Sequence, residues 1–110
     1  MTDELNGPTE PVPNQLRILA AQENLGNLVS IHRPATRLAR FALKASRVYL
    51  YDQGFVLSNG RGALGLFRWD QVTATEKAGT WLVIRQDGAR FRLTRQWTDH
   101  EELGRRLPSR

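Results

Sequence analysis

Apolar and polar positions in this chain change places in short runs, and glycine-containing breaks separate the runs at spacings of roughly eight to twelve residues. RVYLY (47–51) is followed by D-Q-G and FVLS, then by N-G-R-G and ALGLFRW, and a bend at Trp69-Asp70-Gln71-Val72 leads into VTATEK. AGT breaks that run, WLVIRQ resumes, Asp87-Gly88 turns and ARFRLT returns. Period-two alternation between such breaks predicts a mainly β (α+β) fold, an antiparallel sandwich or open barrel of about six to seven strands, with no βαβ rhythm. Gly54 is expected to supply the positive φ of the first hairpin turn.

Alternation also assigns faces. Val48 and Leu50 oppose Tyr49 and Tyr51, and Leu64 and Leu66 oppose Phe67 and Trp69. If Asp87-Gly88 is a two-residue turn, Gln86 pairs with Ala89, Ile84 with Phe91 and Leu82 with Leu93, and the last two pairs face the core. The opposite face then carries Trp81, Val83, Arg85, Arg90 and Arg92, with Arg85 directly beside Arg90. Opposed like charges in water cost about a few tenths of a kcal/mol, small enough to be tolerated as a by-product of core register.

Periodicity changes at both ends. Asn14 is expected to cap a short helix in which Leu16, Leu19, Ala20 and Leu25 recur at helical spacing, with Gly26 as the stop. At the other end, Thr98 and Glu101 have capping-box spacing, Asp99 suits the positive helix terminus, Arg105 and Arg106 suit the negative one, and Pro108 closes a terminal capping helix. NLVSIHRP reads as a strand ended by Pro34. TRLARFALKAS fits a basic amphipathic helix, with Leu38, Phe41 and Ala42 or Ala45 at spacings of three and four, or the beginning of a strand continuing into RVYLY. A helix or irregular lead-in as far as Ala45 is adopted.

At 110 residues and 40% apolar composition the chain has material for one modest core. One domain is expected over residues 14–107, between a disordered, proline-rich tail (1–13) and a short tail (108–110). The absence of cysteine excludes disulfides and thiolate metal sites and fits a reducing cytoplasm. LARFALKASRVYLY is interrupted by Arg40, Lys44 and Arg47, so no bilayer-spanning stretch is expected. The acidic N-terminal stretch has neither an apolar h-region nor the arginines of a transit peptide. A cytoplasmic protein, able to sit peripherally at a membrane, is the expected setting.

The net charge of +5 is uneven. Up to Asn24 the balance is −3, and from Leu25 to Trp69 it is +6, with Asp52 the one acid in that span. Such polarity admits an anionic partner, although fourteen of the sixteen basic residues are arginine, a bias that GC-rich coding also produces.

LGNLVSIHRP, RVYLYDQGFVLSNG, FRWDQV, the strand pair around Asp87-Gly88 and the terminal EELGRRL together resemble a pleckstrin-homology-like (PH-like) domain. More narrowly, they resemble a group of uncharacterised actinobacterial PH-like proteins, over about Leu25 to Leu107. In those proteins a hydrophobic membrane-crossing sequence commonly separates the HRP-like element from the RVYLY-like strand. Here only ATRLARFALKAS intervenes, so the resemblance carries no membrane anchor to this chain. It implies a binding module for phosphoinositides, phosphopeptides or proteins, and the fold by itself does not choose among them.

Candidate chemistry is sparse. His32 and His100 lie 68 positions apart, without a metal-ligand or nucleophile pattern, so no enzyme, metal or cofactor is expected. His100 is assigned a surface or packing role on the terminal helix. N-G-R-G lacks the following Lys-Ser/Thr of a phosphate loop and reads as a turn. Phosphoinositide-binding PH domains present basic side chains from the first two strands and their loop. Lys44, Arg47 and Arg61 fall at matching positions here, while the usual basic density of the loop is missing. Arg33, Arg37, Arg40 and Lys44 would form one helical stripe, read first as the wet side of a packed helix and second as a surface for anionic lipid or nucleic acid. Trp81 among Arg85, Arg90 and Arg92 offers an aromatic-basic mixture, but no nucleic-acid-binding motif accompanies it. The leading expectation is a non-catalytic protein-interaction module that uses a free sheet edge or the groove beside the terminal helix, with homodimerisation as one form. The alternative is an anionic lipid or headgroup binder using Lys44, Arg47 and the Arg85, Arg90, Arg92 cluster.

Overall fold

The computed structural model describes residues 12–42, 45–59 and 61–107. Helix α1 (Asn14–Gln22) precedes strand β1 (Leu28–His32), a short helix α2 (Arg37–Ala42), and strands β2 (Arg47–Tyr51), β3 (Gly54–Asn59) and β4 (Gly62–Arg68). A 3-10 turn at Trp69–Gln71 leads to β5 (Val72–Lys77), β6 (Thr80–Arg85), β7 (Arg90–Leu93) and helix α3 (His100–Arg106). The strands form two antiparallel sheets, β1-β2-β3-β4 and β5-β6-β7, so the mainly β reading stands, and the strand number is seven.

Between the sheets lie Val48, Leu50, Phe55 and Phe67 from one side and Val72, Ala74, Val83, Phe91 and Leu93 from the other. Phe55 and Phe67 stack at 4.8 Å between ring centroids, and Phe91 packs against Phe55 at 5.3 Å. Trp97, Leu103 and Leu107 bring α3 and the segment before it into this core. A second cluster covers the outer face of the first sheet. There Leu16, Ala20 and Leu25 pack on Tyr49, Tyr51 and Val56. Both faces of RVYLY are therefore buried, as α1 supplies the second cover.

Local chemistry differs from the expectations at several ends. Pro13, not Asn14, occupies the N-cap of α1 and makes no side-chain cap. Just past the end of the helix Asn24 takes the left-handed region at φ 55°, its N–H donating to the Ala21 carbonyl and the Leu25 N–H to the Ala20 carbonyl. That pair of bonds is a Schellman ending, two residues before Gly26. Gly26 serves another purpose, because a Cβ there would lie 2.8 Å from Asp52 Oδ2. Gly54 is not among the residues with positive φ. It opens β3 opposite Arg68, where a Cβ would strike the backbone of β4. Thr98 caps no helix either; its hydroxyl accepts from the Arg33 N–H at 3.0 Å, and Asp99 takes the N-cap position of α3.

The segment after β1 closes the sandwich. Pro34 bridges to Trp97, Ala35 N–H donates to the Gln96 carbonyl at 2.6 Å, and Thr98 N–H to the Arg33 carbonyl at 2.8 Å. Val12, from the stretch read as a tail, packs against the outer cluster. The remaining tail residues, 1–11 and 108–110, with the Pro108 stop, lie outside the described residues. Among the described residues, no helix is long and apolar enough to cross a membrane.

Candidate functional site

The cluster of Trp81, Arg85, Arg90 and Arg92 does not exist as one surface. Arg85 N–H donates to the Ala89 carbonyl and Gly88 N–H to the Arg85 carbonyl, both at 2.8 Å, and Gly88 has φ 95°. The loop is thus three residues, Gln86-Asp87-Gly88, a turn followed by a left-handed glycine, and the register moves by one relative to a two-residue turn. Val83 pairs with Phe91, Trp81 with Leu93, Ile84 with Arg90 and Leu82 with Arg92. Trp81, Val83 and Arg85 face inward, and Leu82, Ile84, Arg90 and Arg92 face outward. The expected core pairs Ile84–Phe91 and Leu82–Leu93 and the juxtaposition of Arg85 with Arg90 are all corrected by this slip.

Each member of the former cluster has its own surroundings. Trp81 is half-buried against the core and lies under α3, where a Cβ on Gly104 would come within 2.5 Å of its indole. Arg85 makes a two-pronged contact with Asp87 at 2.9 and 2.8 Å, donates to the Leu66 carbonyl at 2.7 Å, and lies 5.3 Å from the Phe67 ring centroid. The Arg85 guanidinium and the Ala89 N–H hold the Asp87 carboxyl down at about 2. Since β4 is an edge strand, Arg85 occupies a carbonyl that a docking strand would need. Arg90 and Arg92 are exposed on the outer face of β7.

Two other predicted residues do meet. Arg47, at the start of β2, and Arg61, in the β3–β4 turn, line one open groove of about 460 Å³ together with Gln15, Ala45, Tyr49 and Asn59. The turn is built by Asn59, whose Oδ1 accepts from the Arg61 N–H at 2.8 Å, and Arg61 is exposed. Arg47 is half-buried and donates to the Ser46 carbonyl at 2.8 Å. Lys44, the third predicted member, lies outside the described residues, as does the side chain of Arg40.

Beside this groove in the chain is α2, whose apolar residues do not pack as the wet-side reading required. Leu38 is 72% exposed and Phe41 85% exposed. Their helical spacing was legible in the sequence, but spacing alone does not say whether a face finds a partner. Ile18 and Leu64, at 58% and 60%, are the other large apolar side chains exposed among the described residues.

His32 is buried, and both ring nitrogens are engaged. Nδ1 lies 2.6 Å from the Thr98 carbonyl, which only accepts, so Nδ1 carries the proton and Nε2 accepts from the Ser30 hydroxyl at 2.9 Å. Burial lowers its pKa below the usual 6.5, against the opposing pull of the Thr98 carbonyl and of Asp99 and Glu102. His100 sits at the start of α3 with its ring edge-on to Trp81 at 6.1 Å. Among the described residues no cluster of His, Asp and Glu could hold a metal ion. No family model, curated protein or solved structure matches the chain.

Proposed function

We propose that this chain is a PH-like, non-catalytic binding module that engages an anionic ligand at the end of the sandwich bearing the β1–β2 connection and the β3–β4 turn. The four-plus-three antiparallel arrangement with a terminal helix against the core supports the PH-like part of the reading. The observation that carries the ligand class is the shared groove of Arg47 and Arg61, two guanidiniums of fixed charge suited to phosphate or carboxylate oxygens. The hydrogen bonds of both His32 nitrogens, to Ser30 within β1 and to Thr98 before α3, support a structural role for that residue.

Titration with inositol hexakisphosphate, followed by amide chemical shifts, tests the groove. Shifts should centre on Arg47, Asn59 and Arg61, weaken with salt, and vanish in an Arg47→Gln/Arg61→Gln variant that melts like the parent. Shifts spread evenly over the basic surface would remove the groove from the proposal.

A protein partner is the second reading, favoured by the exposed Ile18 on α1 and Leu64 on β4. The two docking routes expected from sequence are partly occupied: Arg85 sits on the Leu66 carbonyl of β4, and Trp81 fills the contact under α3 at Gly104.

A further inference from the structure

Helix α2 presents Leu38 and Phe41 to solvent at i and i+3, on the same side of a helical turn. A six-residue helix is far too short to cross a bilayer, so any apolar contact it makes lies at a surface. Its neighbours in sequence are all of one sign: Arg33, Arg37, Arg40, Lys44 and Arg47, with no acid from residue 33 to residue 47. Arg61 lines one groove with Arg47, the basic residue that ends this segment. The connection is also held at both ends, by the Ala35–Gln96 bond and the Pro34–Trp97 bridge before α2 and by β2 after it. A framework of seven strands thus displays an apolar pair within a segment whose charges are all basic.

We infer that α2 is an interfacial wedge: Leu38 and Phe41 enter the headgroup–acyl boundary of an anionic bilayer while the arginines of the same segment hold its phosphates. This rests on the anionic-ligand reading above and commits it to a membrane surface as the source of the anion. Charge complementarity selects this occupant over an apolar protein groove, since basic residues around an exposed apolar pair match an anionic interface at both levels. Electrostatic attraction brings the end of the sandwich to the surface, and apolar burial then slows its departure.

The test is co-sedimentation of the full chain with vesicles of phosphatidylcholine alone or mixed with phosphatidylserine. Because the chain has no cysteine, Phe41→Cys also gives a single site for a polarity-sensitive dye. Binding to the mixed vesicles, a blue shift of the dye on their addition, and a loss of about tenfold or more in the Leu38→Ser/Phe41→Ser variant are expected, given what Leu and Phe gain on leaving water. Both positions are exposed, so that variant should melt like the parent. Retained binding in the variant, or a dye that stays in water, overturns the wedge and leaves the groove reading intact. Binding of inositol hexakisphosphate without any vesicle binding does the same. Vesicle binding and a dye shift that survive Arg47→Gln/Arg61→Gln uphold the wedge and sink the groove. If neither probe binds, both fail. A dye shift that follows protein concentration without vesicles, with dimers in sedimentation velocity, overturns the wedge in favour of a second copy of the chain.

Discussion

Strands β2 and β3 are covered on both faces, by the second sheet on one side and by α1 on the other, whereas β6 and β7 are covered on one face only. RVYLY is buried at Val48, Tyr49, Leu50 and Tyr51, while RFRL alternates strictly, with Arg90 and Arg92 exposed and Phe91 and Leu93 buried. The doubly covered sheet carries aromatic and aliphatic side chains without a polar face. The singly covered sheet turns two arginines to water and relies on one row of residues for its hold on the core. Register matters differently in the two. A one-residue slip in the first exchanges one buried face for another, but in the second it would bury arginines and expose Phe91 and Leu93.

The largest way to break this comparison is in the shared interior. Phe55→Ala removes a ring packed on Phe67, Trp69 and Phe91 and should cost about 3–5 kcal/mol in urea unfolding. Leu16→Ala acts on the outer layer and should cost about 2–5 kcal/mol. It should also speed amide exchange in α1 more than in β5–β7. Uniform acceleration across both sheets would show that the outer layer is not a separable cover.

A smaller effect separates the two registers of the β6–β7 hairpin. Val83→Ala should cost about 2 kcal/mol, since Val83 is fully buried, and Ile84→Thr no more than about 1 kcal/mol. The reverse order would restore the two-residue turn and its Ile84–Phe91 pair.

The smallest effect is in pH. His32 is held neutral by burial, with its folded pKa below 6.5. Its stabilising contribution is therefore fully present above pH 6.5 and is lost as pH falls through the depressed folded value. The thermal midpoint should decline on acidification below 6.5, and His32→Asn should flatten that decline while lowering the plateau. An unchanged slope in the variant would assign the decline to other groups.

Much of this molecule was legible one stretch at a time. The glycine breaks and the alternation between them gave about six to seven strands, and the terminal periodicities gave α1 and α3, because strand, turn and helix preferences act within a few residues. Arg47 and Arg61 were singled out, with Lys44, through the PH-like resemblance, whereas the groove that Arg47 and Arg61 share is a property of the folded sheet. The cluster at Trp81, Arg85, Arg90 and Arg92 was misplaced by a single residue of loop length. Asp-Gly alone does not say whether Gln86 belongs to the strand or to the turn, and the faces of two strands follow from that choice.

The sequence by itself determined most of the strands, the helices near the two ends and where the positive charge lies. Only the tertiary structure decided which apolar residues would find cover. Tyr49 and Tyr51 lie under α1, Arg85 lies on Phe67 and the β4 edge, and His32 locks β1 to Thr98, while Leu38 and Phe41 remain uncovered. The physical reason is that periodicity states which residues share a face, but burial depends on whether a remote part of the chain arrives to meet that face.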